Sequence, residues 1–449
     1  MTSAKLYRAH LEALGGMLED ALTRASQKGL ALDGVLFHAG RETYYHADDQ
    51  PVPFRGTPHF LRWVPLAGPE HCVLARPGHR PLVIRVAPRD FWYEVTPLAD
   101  SYWQAAVEVV EVCRLADARQ YLQGSGKLAY VGNSAEAAEE LGIPTTLVEP
   151  EALMAPLAWH RATKTDHEVA QILRAAEKAA EGHRVARKAF ESGASEKEIH
   201  WAYLEAAGQL EAELPFATIT AIDEKIAILH YQNKRGLESA PGKVFMLDAG
   251  ASHEGYASDI TRTWARPEAD DLYRSLLAAM DALQRDLVAM VTPGRPYAEI
   301  HLEAHRRTAL LLAETGIVRC SAEQALEQGI TRAFLPHGVG HHLGLQVHDL
   351  GGHQAGPDGG TAPPPAEHPF LRNTRTLEPG HVVTIEPGIY FCDVLLDELR
   401  ERPEGKRVEW KLVERLSGHG GVRIEDDVLC TPEGARDLTR PLIQGPRGL

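Results

Sequence analysis

Residues 243–264, KVFMLDAGASHEGYASDITRTW, carry the reading on which the fold turns. Two runs of β-strand character flank a polar turn at His253-Glu254-Gly255. A hairpin centred there sets Asp248 and Asp259 roughly opposite each other on one face, with Cβ atoms about 5 Å apart. Carboxylates that close repel unless they are protonated or bridged by cations. The plainer alternative is a pair of solvated turn residues. Against it stands the run Val244-Phe245-Met246-Leu247, a buried strand leading directly into Asp248, where an unpaired carboxylate is costly.

Three later stretches supply partners. FLPHGVGHHLGLQVHD (334–349) holds His337, His341, His342 and His348, with glycines at 338, 340 and 344 that let backbone approach closely. In VVTIEPGIY (382–390), Glu386 ends an apolar β-branched run just before a Pro-Gly turn. In GGVRIEDDVLC (420–430), Arg423, Glu425 and Asp427 alternate, so a strand there turns all three to one face. A half-exposed strand is the alternative for Arg423 and Asp427. Together the stretches offer one histidine and four carboxylates on buried-looking strands. Two divalent cations would offset four carboxylates, and a hydroxide held between them can form near neutral pH. Oxygen and imidazole donors without thiolate suit Mn²⁺, Co²⁺ or Zn²⁺.

Outward from these stretches, the chain reads as two domains. Residues 1–160 alternate helical and strand patterns: a helix to about residue 30 stopped by Gly29, a buried strand in ALDGVLFHAG, short apolar runs in HCVLARPG and RPLVIRV, strands in KLAYVGN and TTLVEP, and a helix in AEAAEELG. That is an α/β domain. Residues 161–449 begin with two capping boxes, Thr165 with Glu168 and Ser195 with Glu198, each opening a helix. Strands from FATITAI, helices near 267–291 and 297–316, then a strand-rich tail make this domain α+β. The Gly- and Pro-rich segment 351–369 reads as a long loop.

Composition narrows the function classes. The 449 residues are 44% hydrophobic and 24% charged, with a formal net charge of −15. No clustered Lys/Arg run offers a grip on phosphate backbones, so nucleic acid is not an expected partner. No stretch is long enough for a membrane span, and the N-terminal thirty residues carry charges throughout without an apolar h-region. The five cysteines are dispersed without a CxxC pair. A cytoplasmic protein with free thiols fits these features.

LDAG…SDITRTW, PHGVGH, IEPGIY and RIEDDV, in this order, resemble the metallopeptidases of pita-bread fold, the group that includes methionine aminopeptidase, aminopeptidase P and prolidase. HADDQPVPFRGTPHFLRWVP (46–65), LHY (229–231) and HGVGHHLGLQVHDLGG (337–352) are similar to the bacterial Xaa-Pro dipeptidases within that group. The resemblance implies a pita-bread catalytic domain behind a smaller creatinase-type N-terminal domain. It implies that Asp248 chelates one metal, that Asp259 and Glu425 bridge two, and that His341 and Glu386 complete the other. It further implies hydrolysis of Xaa-Pro dipeptides by the bridging hydroxide, with Glu386 shuttling the proton and manganese the leading metal. His230, His337 and His348 match histidines that line the site and bind substrate or the tetrahedral intermediate. Arg423 matches an arginine behind the ligands. Arg372, in FLRNTR, matches one near the substrate carboxylate, with a solvated loop cation as the alternative. Asp48 and Asp49 match a loop that walls the pocket of a partner subunit, which implies a homodimer. The related bacterial enzymes often carry tyrosine where this chain has Phe216, which bears on substrate preference. A side activity on organophosphate triesters is a further implication. Aminopeptidase P, which acts on longer Xaa-Pro peptides, shares the metal site and is the rival reading. A non-catalytic module of the same fold, or a metal-free creatine amidinohydrolase, would be expected to lack some of the five ligands, and all five are here.

Overall fold

A computed structural model describes residues 2–95, 97–98, 100–236 and 241–444. It divides into two compact units, Met1–Ala170 with Ala355–Gly360, and Gln171–Gln354 with Thr361–Leu449.

The first unit is built on a five-stranded mixed sheet. In spatial order its strands are Glu108–Val112, Leu82–Val86, Cys72–Ala75, Gly34–His38 and Leu128–Val131. The sheet is covered on both sides, which is why its inner strands read as continuous apolar runs. Side chains alternate across it. Val35, Phe37, Val73 and Val83 pack with helix Ser3–Gln27, whose Leu11, Leu14, Leu18 and Leu22 form one stripe. Leu36, Cys72, Leu74 and Ile84 face Ala137 and Ala138 of helix Ala135–Glu140.

Within the same unit, a buried ion pair anchors the residues that open helix Asp166–Glu191. Arg62 donates from Nε and Nη2 to the two Glu168 carboxylate oxygens, each at 3.1 Å. Glu168 Oε2 also accepts from the N–H of Thr165, whose hydroxyl accepts from the Glu168 N–H, closing a capping box. Burial alone would raise the Glu168 pKa. Arg62 and His10 outweigh it and bring it down to about 2.

The second unit holds two three-stranded sheets. One orders Thr261–Ala265, Val244–Asp248 and Ile219–Ile222; the other orders Val382–Ile385, Asp426–Thr431 and Gly434–Asp437. They meet where Thr261 bridges to Glu425. Helices Asp271–Val288 and Tyr297–Glu314 cover the sheets over a core that includes Met246, Leu276, Met280, Ile300 and Val383. The capping box expected at Ser195 and Glu198 forms.

Four expectations change. The hairpin at 253–255 pairs His253 with Tyr256 through a two-residue turn, Glu254 and Gly255, with φ of +50° and +87°. Two left-handed central residues are what a tight hairpin of right-twisted strands requires. The register places Thr261, not Asp259, opposite Asp248. Asp259 sits two residues before Thr261, a diagonal neighbour of Asp248. TTLVEP is not a strand: Thr145–Leu147 form one 3₁₀ turn between Pro144 and Pro150, and only Val148 bridges to Tyr130. The edge strand Glu108–Val112 is an addition to the expected set, because its two glutamates interrupt the apolar run. The 351–369 loop contains a short hairpin, in which strand Gln354–Gly356 pairs with strand Gly359–Thr361.

Breaking a buried ion pair by deleting one partner typically costs about 3–5 kcal/mol, because the other charge stays buried. Arg62→Ala should lower stability to denaturant by about that much. Glu168 has a depressed pKa, so its contribution is full above the ordinary carboxylate range and is lost as pH falls toward about 2. The Arg62→Ala deficit, measured by denaturant titration, should shrink over that acid window.

Candidate metal centre

A cleft of about 700 Å³ in the second unit is lined by Asp248, Asp259, His341, Glu386 and Glu425. Asp248 closes the strand Val244–Asp248, and Glu386 follows Val382–Ile385 directly. Glu425 lies in the gap between strands Gly421–Arg423 and Asp426–Thr431. His341 enters on an irregular segment that only glycine permits. A Cβ on Gly340 would stand 2.1 Å from the Thr384 carbonyl, and one on Gly338 2.8 Å from the Phe370 carbonyl.

The donor atoms converge. One atom each of Asp259, His341 and Glu425 lies within 4.8 Å of the other two. His341 Nε2 stands 3.5 Å from Asp259 Oδ2 and 3.7 Å from Glu386 Oε1. His341 Nδ1 lies 3.0 Å from the His342 carbonyl, which can only accept, so the ring proton sits on Nδ1. Nε2 therefore turns a lone pair toward the carboxylates, an arrangement that a cation reconciles. Asp259 Oδ1 is buried without a hydrogen-bond partner among the described residues.

Burial sets the charge state of the site. Burial, then the neighbouring Asp248 charge, pushes Asp259 well above the usual carboxylate range, with Arg423 opposing. Burial and the charges of Asp259, Glu386 and Asp248 do the same to Glu425. Burial raises Glu386 to about 7 against the pull of His341 and Arg423. Buried carboxyls in one cleft that cannot all ionise when Arg423 pairs with Asp248 alone among them fit a site for added positive charge. Oxygen and imidazole donors in this number suit divalent cations.

Arg423 organises the wall behind. Its Nη2 donates to Asp248 Oδ2 at 2.5 Å and its Nη1 to the Tyr390 hydroxyl at 2.7 Å. His337 holds its proton on Nδ1, 2.8 Å from the Gly338 carbonyl, so Nε2 accepts from the Tyr390 O–H at 2.8 Å. Burial, with Arg423 and His230 adding to it, lowers His337 to about 4, so the ring is neutral. Thr261 donates to Glu425 Oε2 at 2.6 Å and accepts from Arg423 Nε at 3.3 Å. Neither Tyr390 nor Thr261 stands out in the sequence as a site residue. The one available signal for Tyr390 is its place two residues after Gly388 in IEPGIY.

His230, His337, His348, Arg372, Arg423 and Phe216 also line the cleft. The His348 ring stands edge-on to His341, centroids 4.4 Å apart. Arg372 has no carboxylate partner among the described residues, and its charge bears on both His341 and His348. Asp427 differs from expectation. The strand breaks between Arg423 and Asp426, so Asp427 turns inward and accepts from the Asp259 N–H at 3.1 Å instead of lining the cleft. Asp48 and Asp49 belong to the first unit, on an exposed turn where Asp48 Oδ1 accepts from the N–H groups of Asp49 and Gln50.

Comparison with known proteins follows the same lines. The description of metallopeptidase family M24 matches residues 170–432, and that of the Xaa-Pro dipeptidase N-terminal domain matches residues 5–159. The chain is 38% identical over 444 residues to a Xaa-Pro dipeptidase of Stenotrophomonas maltophilia, covering 99% of this chain and 98% of that one. It is 39% identical over 441 residues to one of Shewanella loihica, covering 98% of each. Among solved structures, an aminopeptidase P of E. coli superposes with a TM-score of 0.73 at 23% identity, covering 99% of this chain and 97% of that one. Proline aminopeptidase P II of Yersinia pestis gives 0.70 at 23%, covering 99% and 98%. These two speak for the fold.

Carboxyls with raised folded-state pKa values favour the metal-free protein below the ordinary carboxylate range, and that contribution is lost as pH rises through about 7, where Glu386 ionises. Cations bind the ionised form and release protons. The gap in Tm between cation-loaded and chelator-treated protein should therefore widen from acid pH to about pH 8. A gap that narrows over that range would contradict this charge assignment.

Proposed function

The chain belongs to metallopeptidase family M24, and from that premise we propose that it hydrolyses Xaa-Pro dipeptides, releasing proline, with two divalent cations held by Asp248, Asp259, His341, Glu386 and Glu425. The observation that carries this reading is the convergence of four carboxylates and one oriented imidazole on a single cleft, in a chain similar over its whole length to Xaa-Pro dipeptidases. Asp259 and Glu425, the most deeply buried of the carboxylates, would be the pair shared between the two cations. Manganese is the leading metal, with Co²⁺ or Zn²⁺ also suited to the donors. When bound, the pair supplies Lewis acidity, which polarises the scissile carbonyl and lowers the pKa of water.

The chain's own residues do the rest. Glu386, a carboxylate of this cleft, would take a proton from the attacking water and return it to the leaving nitrogen. His337 Nδ1 lies 3.7 Å from Glu386 Oε2. His230 and His348, which line the same cleft, would serve the place where charge develops on the substrate oxygen, while His337, held by Gly338 and Tyr390, forms the wall beside Glu386. Arg423 holds Asp248 and, through Tyr390, fixes the His337 tautomer.

Selectivity follows from the substrate. A Xaa-Pro bond has no N–H, so recognition by strand addition loses a hydrogen bond there. Arg372 supplies another handle, for the carboxylate of a C-terminal proline. A dipeptide brings that carboxylate next to the scissile bond, whereas a longer peptide does not. Phe216 lines the cleft as an apolar wall without a hydroxyl. Asp48 and Asp49 of a second copy close the pocket in a homodimer. Phosphotriesters are a side substrate, since the same nucleophile can attack phosphorus. A cytoplasmic setting fits the free, dispersed cysteines. No helix among the described residues is long and apolar enough to cross a membrane.

Mass spectrometry of Ala-Pro and Ala-Pro-Ala-Ala digests tests the proposal, with protein stripped of metal and then reloaded with Mn²⁺, Co²⁺ or Zn²⁺. The dipeptide should be cleaved only after reloading. Cleavage of the tetrapeptide alone would favour the aminopeptidase P reading, and full activity without metal would refute both. Asp259→Ala or Glu425→Ala should abolish activity. His348→Ala should lower turnover while metal content stays equal to that of wild type. Tyr390→Phe, which removes the link from Arg423 to His337, should cost about 10–100-fold in kcat/KM.

A further inference from the structure

A second donor cluster lies outside the carboxylate centre. Among the described residues, the groups of three or more His, Cys, Asp or Glu donors that converge within 4.8 Å are Asp259–His341–Glu425 and His301–His305–His368. We propose that His301, His305 and His368 form a separate site for one divalent transition cation of the Zn²⁺ or Co²⁺ class, which clips the 351–369 loop to helix Tyr297–Glu314.

His301 and His305 are one turn apart on that helix, so both rings leave the same face. Both are 1% exposed. His368 reaches them from the loop, half-buried. Ring centroids are 4.7, 4.5 and 4.4 Å apart. His301 Nε2 and His305 Nε2 are buried without hydrogen-bond partners among the described residues. Unpartnered buried nitrogens are costly, and a shared ligand removes that cost. Burial keeps the rings neutral, as metal ligation needs: it lowers His301 to about 3 and His305 to about 2, and shifts His368 the same way. Arg332 bears on His305 and His368 as a repelling cation, and Glu367 offsets it at His368.

Three neutral imidazoles favour Zn²⁺, Co²⁺ or Ni²⁺ over Mn²⁺, whereas the carboxylate centre accepts Mn²⁺. Coordination at about 2.0–2.1 Å would draw the three nitrogens together within the 4.8 Å they now span. His368, on a loop and half-buried, is the ring best placed to close that distance. His305 is ready as it stands, because its Nδ1–H can donate to Thr331 Oγ1 at 3.0 Å and leave Nε2 open. His301 is not. Its Nδ1 accepts from the Val339 N–H at 3.3 Å, so its proton sits on Nε2. Binding moves that proton to Nδ1 and releases the Val339 contact. Pro369, Phe370, Leu371 and Arg372 follow His368 directly and line the catalytic cleft, so the clip bears on the cleft edge.

The test loads wild type and His368→Ala with Mn²⁺, titrates each with Zn²⁺, and counts bound metals by elemental analysis after desalting. Wild type should hold one more Zn²⁺ per chain than His368→Ala, with total metal at the carboxylate centre equal in the two. A Co²⁺ titration of the Mn²⁺-loaded proteins should show, in wild type alone, the visible d–d bands of a four-coordinate site with three nitrogen ligands and one water. Exchange of the Val339 amide with solvent deuterium should quicken when the extra Zn²⁺ binds. His305→Asn, a second variant on the helix side, should lose the same single Zn²⁺. Equal Zn²⁺ uptake by wild type and His368→Ala would overturn the proposal, as would loss of carboxylate-centre metal in His368→Ala.

Discussion

Negative charge held out of water is the constraint around which the second unit is arranged. Asp248, Asp259, Glu386 and Glu425 share one cleft, and Arg423 is the guanidinium paired among them. Without further positive charge, burial drives Asp259, Glu386 and Glu425 toward protonation. The fold holds these groups together although they repel. The cost of their proximity in the metal-free protein is the counterpart of affinity for cations.

Backbone pairing, more than side-chain packing, enforces that proximity. Strands from two sheets meet at the Thr261–Glu425 bridge, where Glu425 N–H donates to the Thr261 carbonyl at 3.0 Å. The Thr263 hydroxyl donates to the Arg423 carbonyl at 2.9 Å, extending the seam. Gly338 and Gly340 let the histidine segment lie against the backbone of other segments. Arg423 then spans three partners, Asp248, Thr261 and Tyr390. The tautomers follow from these contacts. His341 and His337 each donate from Nδ1 to a carbonyl, which leaves His341 Nε2 open to a cation and His337 Nε2 to Tyr390. Buried hydroxyl and guanidinium donors thus hold the carboxylates and imidazoles of the cleft in one connected network.

The two donor clusters answer to different chemistry. The carboxylate centre carries negative charge and hard oxygen donors. The histidine cluster is neutral and built from nitrogen alone. Residues Pro369 to Arg372 run from His368 along the cleft edge, so occupancy of the histidine cluster is linked to the surface that substrate meets. The first unit shows the opposite treatment of buried charge. There Glu168 meets Arg62 with two hydrogen bonds and a capping N–H, and its pKa falls instead of rising. Full pairing produces structure, and incomplete pairing leaves room for a ligand.

Much of this was legible in the residues. Strand runs ending in acid, a Gly-His segment and the order LDAG, PHGVGH, IEPGIY, RIEDDV pointed to a carboxylate-rich site, because apolar runs that terminate in unpaired carboxylates have few other physical explanations. The capping boxes were equally clear, since they are local. What failed was register and reach. A centred hairpin put Asp259 opposite Asp248, but the tight turn with positive φ at Glu254 and Gly255 belongs to a ladder that puts Thr261 there. Simple alternation put Asp427 beside Glu425, but a strand break turned it toward the Asp259 backbone. The Arg423–Tyr390–His337 chain and the His301–His305–His368 cluster join residues dozens of positions apart. By itself, then, the sequence determined which donors exist and the elements that carry them, because periodicity and capping are short-range. Only the tertiary structure decided which of them meet, because pairing depends on turn geometry and on contacts between strands far apart in the chain.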